Sequence, residues 1–274
     1  MSEIIREVQD LTYLNWSKIR NSSGTAGSFL KSYSEIGGQK LYYKLSNYDS
    51  INGIIGHECV NELIVDRLLD VLGIDHLSYT LINADIIVDN KPLRTYLCMS
   101  ENFRKQDEDK IALDAFYDME KQDDDTPLKF CIRNRWEKYI YEMLLVDFLI
   151  LNRDRHGANI EVLRDRKKKK LRLAPLFDHG LSLLSLCRDP SMYPDYDVMA
   201  DKPVQCFVGS QSALQNLHLI PNDKCPDISS MKESDKATIM DGLEDIIPSV
   251  LYDKIWDMIW QRWCYYEGIC NKKR

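Results

Sequence analysis

The 274-residue sequence has no apolar run approaching the ~20 residues that a membrane-spanning helix needs. Its opening, MSEIIREVQDL, carries Glu3, Arg6, Glu7 and Asp10, so the apolar core of a secretory signal is missing. None of the eight cysteines stands in a C-x-x-C pair, which leaves a zinc site without support from spacing. Most cysteines fall inside apolar runs and read as small buried hydrophobes in a reducing compartment. Basic charge is not in excess either. The formal net charge of -7 gives no support to nonspecific binding of nucleic acid or an anionic membrane, and the basic stretch 164–172 is a local exception. There is no internal repeat, and no low-complexity block beyond four consecutive lysines. These absences point to a cytoplasmic globular protein, long enough for two lobes that share a cleft.

What is present divides into three parts. Residues 12–46 read as short strands punctuated by small and glycine-rich residues: YLNWSKI, then RNSSGTAGSFLKSYSEIGGQ, then KLYYKLS. Residues 57–72 read as a helix, because Val60, Leu63, Ile64, Leu68, Val71 and Leu72 recur at three- and four-residue spacing and Gly73 is a natural stop. Strands return over 77–99, with a turn at DNKP. From Ser100 to Pro127 the composition becomes acidic and poor in apolar residues, as expected of a hinge or a solvated helix–loop segment. The spacing predicts a helix over 132–151, a hairpin from NIEVLR to LRLAPLF around the turn DRKKKK, about fifty irregular residues over 184–232, and two helices over 233–247 and 249–267 separated by Pro248. The class is α+β: a β-rich first part with one helix (1–100) and a mainly helical second part (101–274).

Several polar residues fit phosphoryl-transfer chemistry, which needs a carboxylate to orient an attacking hydroxyl and oxygen ligands for magnesium. Asp154 and Asn159 stand as Asp-x4-Asn on a short loop after the apolar helix. Asp178 follows a strand and precedes His179 and Gly180, and the hairpin between them returns the chain so that Asn159 and Asp178 come near each other. In the first part, NSSGTAGSF offers backbone N–H groups to nucleotide phosphates through Ser23, Gly24, Thr25 and Gly27. Lys44 shares a strand face with Tyr42, and the following helix offers Glu58 and Glu62, four apart on one face, as its counter-ion. Each signal has an ordinary structural counterpart. Asp-x4-Asn is common by chance, small-residue loops are usually turns, a single histidine such as His156 is more often a hydrogen-bonded structural residue, and the lysine run suits a solvated turn.

The order of the features carries more than any one of them. Glycine-rich loop, strand lysine, helix glutamate, hinge, Asp-x4-Asn and Asp-x-Gly follow the protein-kinase-like plan. His-Arg-Asp is missing before the loop, and Asp-His-Gly stands where ordinary protein kinases have Asp-Phe-Gly. Instead, NRDRHGAN resembles the Asp-x-His-x-x-Asn loop of HipA-like serine/threonine kinases and phosphoinositide kinases. HECVNELIVDRLLDVLGI resembles the HipA-like helix with its Asn-Glu pair, and LAPLFDHG the Ala-Pro-x-x-Asp segment. The resemblance spans about residues 20–185. Only about twenty residues precede the glycine-rich loop, as in a short form without the extra N-terminal subdomain of HipA toxins. That loop is not a Walker A sequence, since Gly-Lys-Ser/Thr is lacking.

The resemblance implies a two-lobed kinase-like fold and an ATP- and magnesium-dependent serine/threonine protein kinase. Asp154 becomes the catalytic base, Asn159 and Asp178 the magnesium ligands (Mg2+), and His156 a brace for the loop or for the transferred phosphoryl group. Lys44 contacts the α- and β-phosphates and pairs with Glu62, or less suitably with Glu58. The segment from Leu97 through Met99 to Ser100 offers backbone groups to adenine. Ser22, Ser23 and Ser28 become candidate autophosphorylation sites. The implied partners are a protein substrate and an antitoxin-like regulatory protein. A lipid or small-molecule kinase and a non-catalytic pseudokinase are the alternatives.

Overall fold

The computed structural model describes residues 3–19 and 26–271, with side chains for all of these except 18, 19, 26–28 and 271. Ser22, Ser23, Gly24 and Thr25 therefore lie outside the described residues. The chain begins with β1 (Ile4–Asp10), β2 (Ser17–Ile19), β3 (Ala26–Ile36) and β4 (Gln39–Lys44), then a small hairpin of β5 (Tyr48–Asp49) and β6 (Gly53–Ile54). Helix α1 (Glu58–Leu72) follows, and then β7 (Tyr79–Val88) and β8 (Lys91–Glu101). Six strands form one sheet in the order β1-β7-β8-β4-β3-β2. Its two long hairpins close through two-residue turns with positive φ, Gly37-Gly38 (φ 58 and 82) and Asp89-Asn90 (φ 51 and 60). Turns of that hand match the right-handed twist of the flanking strands, and glycine, asparagine and aspartate tolerate them best. β1 runs parallel to β7 at the sheet edge.

The remaining elements are β9 (Glu108–Ala112), α2 (Leu113–Glu120), α3 (Pro127–Arg133), α4 (Glu137–Leu149), β10 (Asp154–Arg155), β11 (Glu161–Asp165), β12 (Leu171–Leu173), β13 (Gln205–Cys206), α5 (Ala213–Leu217), α6 (Lys236–Ile239) and α7 (Ser249–Asn271). The lysine-tipped hairpin forms as the sequence predicts, with Val162 opposite Leu173. The Asp165 carboxylate accepts from the N–H groups of Lys167 and Lys168 and shapes the turn. The acidic segment contributes structure of its own, because β9 adds to that hairpin as a third strand. No helix among the described residues is long and apolar enough to cross a membrane.

Three predicted helices take different bounds. The expected helix over 132–151 is two helices, α3 and α4, with Arg135 at φ 61 between them. Thr126 caps α3 by accepting from the Lys129 N–H, so that helix starts five residues before the apolar pattern does. The expected helix over 233–247 shrinks to one short turn and α6, because Gly242 (φ 67) reverses the chain. Its successor runs further than read, to Asn271. β1 was not anticipated at all. Cys187, Cys206, Cys225 and Cys270 are only partly buried and Cys264 is exposed, against the reading of the cysteines as core residues.

Thirteen of the 15 residues of α1 are buried, and Gly73 (φ 73) ends the helix with its N–H on Asp70 O while Ile74 N–H reaches Leu69 O. Leu63, Ile64, Leu68 and Leu72 join α4 and α7 in one hydrophobic cluster that crosses from the sheet into the helical part. A second, smaller cluster (Leu45, Ile82, Ile86, Leu97 and neighbours) covers the other face of the sheet. Arg262 of α7 lies 1% exposed inside the large cluster. Its guanidinium donates to Val198 O, Ala200 O and Phe148 O at 2.8, 2.9 and 3.0 Å, tying the 198–200 strand of chain to the end of α4. Burial lowers its pKa to about 10, yet it stays charged at neutral pH. Replacing Arg262 by Ala removes three hydrogen bonds and leaves a void, and should cost about 3 kcal/mol of unfolding free energy in urea titration. Arg262→Lys should recover only part of it, since one ammonium cannot span the same fork.

Candidate active site

Lys44 ends β4, where it faces Cys98 of β8 and Lys31 of β3 across the ladders. Only 8% of the residue is exposed. Its ammonium lies 2.7 Å from Glu62 Oε1 and 2.5 Å from Asp178 Oδ1. Burial works against the charge, but the Asp178 and Glu62 carboxylates outweigh it and hold the lysine well above its ordinary pKa. Glu58 goes elsewhere, its carboxylate accepting from the Asn47 N–H at 2.9 Å. Of the two carboxylates that the helix offers, the pairing with Lys44 falls to Glu62.

α1 also grips the Asp-His-Gly segment. Glu62 Oε2 accepts from the His179 N–H at 2.8 Å, and Asn61 Nδ2 donates to Gly180 O and Ser182 O, both at 3.0 Å. From the sheet, Tyr79 OH accepts from the Asp178 N–H at 3.2 Å, while the Tyr79 N–H donates to the Asp66 carboxylate. Asp178 holds φ 58 here, a left-handed conformation that aspartate tolerates better than most residues. Glycine at 180 suits a close approach: a Cβ there would stand 3.1 Å from Lys44 Nζ and 3.2 Å from Glu62 Oε1, so a larger residue would press on the ion pair. His179 is 2% exposed, and burial together with the nearby Arg155 cation keeps its pKa well below the ordinary value, so the ring is neutral.

The Asp-x4-Asn loop rests on Arg155, which is fully buried. Its guanidinium pairs with Asp147 of α4 at 2.8 Å and donates to Asn159 O at 3.2 Å and Phe177 O at 2.9 Å. One side chain therefore joins α4, the end of the loop and the residue before Asp178. Desolvation opposes the charge, and Asp147 more than compensates. Asn159 Nδ2 donates to Asp154 O at 2.8 Å, which turns the amide oxygen to the opposite side. The loop is short because Gly157 packs against α2, where a Cβ would come 2.4 Å from Asp114 Cβ. His156 Nδ1 accepts from the Ala158 N–H at 3.2 Å, which places the ring proton on Nε2, and that atom lies 3.6 Å from Asp154 Oδ1. Asp154 and His156 remain partly open, with side chains 28% and 37% exposed.

A cleft of ≈ 510 Å³ has Lys44, Asp178 and Ala158 on its wall, while Asp154, His156 and Asn159 are not among its lining residues. The predicted adenine segment needs correction. Leu97 is fully buried and, with Met99, packs into the cluster on the far face of the sheet. The backbone of 97–100 is also occupied, since β8 is hydrogen-bonded to β7 on one side and, from Cys98 onward, to β4 on the other. The residues that face the cleft are Cys98 and Ser100, and the chain leaves the sheet only after Glu101, so Asn102, Phe103 and Arg104 border the opening. Of the glycine-rich loop, Gly27 lies in β3, and Ser23, Gly24 and Thr25 are not among the described residues.

Sequence reasoning missed Arg155, Asp147, Tyr79 and Lys31, whose Nζ lies 3.9 Å from Asp178 Oδ2. Asp147 did leave a signal: it is a single acid in the apolar run MLLVDFLIL, and an acid in such a place needs a buried partner. Nothing in the sequence marked Tyr79 or Lys31, which reach the site through strand register alone.

No protein-family model matches the chain, and no curated protein matches it. Among solved structures, it is similar to the Helicobacter pylori proinflammatory kinase CtkA, with a TM-score of 0.65 at 16% identity over 97% of each chain. It also aligns with a Shewanella oneidensis HipA, HipB and operator DNA complex, at a TM-score of 0.42 and 15% identity, over 92% of this chain and 59% of that one. The first comparison covers nearly every residue at an identity too low to carry function, and what it establishes is the fold: the chain has the kinase-like architecture of CtkA.

Proposed function

We propose that the protein is an ATP- and magnesium-dependent kinase that transfers a phosphoryl group to serine or threonine hydroxyls of a protein. The observation that carries this reading is the Lys44 ammonium, fixed between Glu62 and Asp178 at the wall of the cleft. A lysine held this way presents positive charge to nucleotide phosphates without having to reorganise. Asp154, partly open and on the same loop as the cleft-lining Ala158, orients the acceptor hydroxyl and takes its proton. His156 Nε2 faces Asp154 and steadies that carboxylate. Asn159 and Asp178 would hold magnesium. They supply the hard oxygen donors that this ion prefers, and Asp178 already draws two ammonium groups, Lys44 and Lys31, within 4 Å. Held there, the ion would supply positive charge to offset the charge that develops on the transferred phosphate. The antitoxin-like partner rests on the sequence resemblance.

Asp154→Asn should lower phosphate transfer from labelled ATP by about a thousandfold with an unchanged urea midpoint. Unchanged turnover would exclude Asp154 as the base. The assay should offer proteins, phosphoinositides and small hydroxyl compounds in parallel. Labelled lipid would redirect the reading to a lipid kinase, and nucleotide binding without any transfer would indicate a pseudokinase. Glu62→Gln keeps an acceptor for the His179 N–H but removes half of the charge that anchors Lys44. It should cut kcat/KM for ATP by about a hundredfold, mostly through KM. Phosphorylation of Ser22, Ser23 or Ser28 would bring negative charge to the nucleotide phosphates and switch transfer off. Mass spectrometry after long incubation with ATP should find phosphate on 21–29 in wild type and none in Asp154→Asn.

A further inference from the structure

Two cysteines outside the cleft stand in an arrangement that burial alone does not explain. Cys225 lies in the irregular chain after α5, and Cys270 in the last turn of α7. Their sulfurs are 3.1 Å apart, inside ordinary van der Waals contact for two unbonded thiols, and both residues are partly accessible. The stretch around Cys225 is itself docked: a few residues on, the Ser229 N–H donates to Leu72 O at the end of α1, and Ser230 Oγ donates to Glu267 of α7 at 2.8 Å. The two segments are thus already joined next to the contact, and the sulfurs need approach by only about 1 Å to reach bonding distance.

We propose that Cys225 and Cys270 form a reversible disulfide, a redox-modification site that fastens the C-terminal end of α7 to the 221–230 stretch. The oxidant is a low-molecular-weight disulfide such as oxidised glutathione. One protein thiolate attacks a sulfur of the oxidant, forming a mixed disulfide and releasing one reduced thiol. The second protein thiolate attacks the protein sulfur of that mixed disulfide, closing the Cys225–Cys270 bond and releasing the second thiol. The two electrons and the two protons given up by the protein end on the released thiols. The bond closes a loop that contains α6 and α7, and with it the segment that carries Arg262. Cross-linking a loop of this length restrains the unfolded chain, so the oxidised form is the more stable one.

The test uses the full chain, incubated with oxidised glutathione under native conditions and then alkylated. Expected are the loss of two hydrogen masses, a non-reduced peptide joining Cys225 to Cys270, and a thermal midpoint several degrees higher that dithiothreitol reverses. Cys270→Ser and Cys225→Ser should each abolish the cross-link and the rise, and Cys264→Ser should leave both intact. Stable glutathione adducts on both cysteines, a cross-link through Cys264, or no reaction in the folded protein would each overturn the proposal. None of these outcomes depends on phosphoryl transfer, so the kinase reading stands or falls separately.

Discussion

The buried Lys44 ammonium is the constraint around which the site is organised. An ammonium taken out of water at that depth is several kcal/mol unfavourable unless anions replace its hydration. The anions arrive from two distant places in the chain, Glu62 on α1 and Asp178 beyond the hairpin. Satisfying one charge therefore requires the sheet, the helix and the Asp-His-Gly segment to meet within hydrogen-bonding distance. The neighbouring contacts follow from that meeting. Glu62 uses its second oxygen on the His179 N–H, Asn61 takes the next carbonyls, and a side chain at residue 180 would crowd Lys44 and Glu62.

Arg155 does for the other half of the site what Lys44 does for the first. It is a buried cation whose partners are one carboxylate and two backbone carbonyls, and those carbonyls belong to Asn159 and Phe177. The two carbonyls converge on a single nitrogen, Arg155 Nη1, which brings the end of the loop and the residue before Asp178 to one point. The two cations hold neighbouring residues of one segment, Lys44 the Asp178 carboxylate and Arg155 the Phe177 carbonyl, and between them an aspartate with positive φ is kept in place.

What the sequence revealed and what it hid divide along physical lines. α1 was readable to within one residue because its apolar spacing is regular and Gly73 occupies a left-handed position. The lysine-tipped hairpin was readable because its two strands are local to each other. The break at Arg135 was hidden, since an apolar pattern continues across it and a positive φ leaves no trace in an arginine. β1 was hidden for the opposite reason: its charged residues face outward, and its parallel partner is β7, some 75 residues away. Leu97 to Ser100 were read as a hinge with backbone groups to offer, because nothing in the sequence shows that β8 runs on to Glu101 and keeps them in its ladders. Lys44, Glu62 and Asp178 were found as types and order, while the contacts among them depend on tertiary packing.

The burial of α1 on nearly every side has a mechanical consequence. A helix with one apolar stripe can pivot on it, exchanging protein for water on its outer face at little expense. α1 has no such face: apolar side chains, a buried arginine and three buried acids are all committed to neighbours from both halves of the molecule. To swing outward it would have to expose a fully packed surface and strand those charges at the same moment. The helix is set like an axle in bearings, a fixed reference against which Glu62 and Asn61 hold the residues beside the cleft.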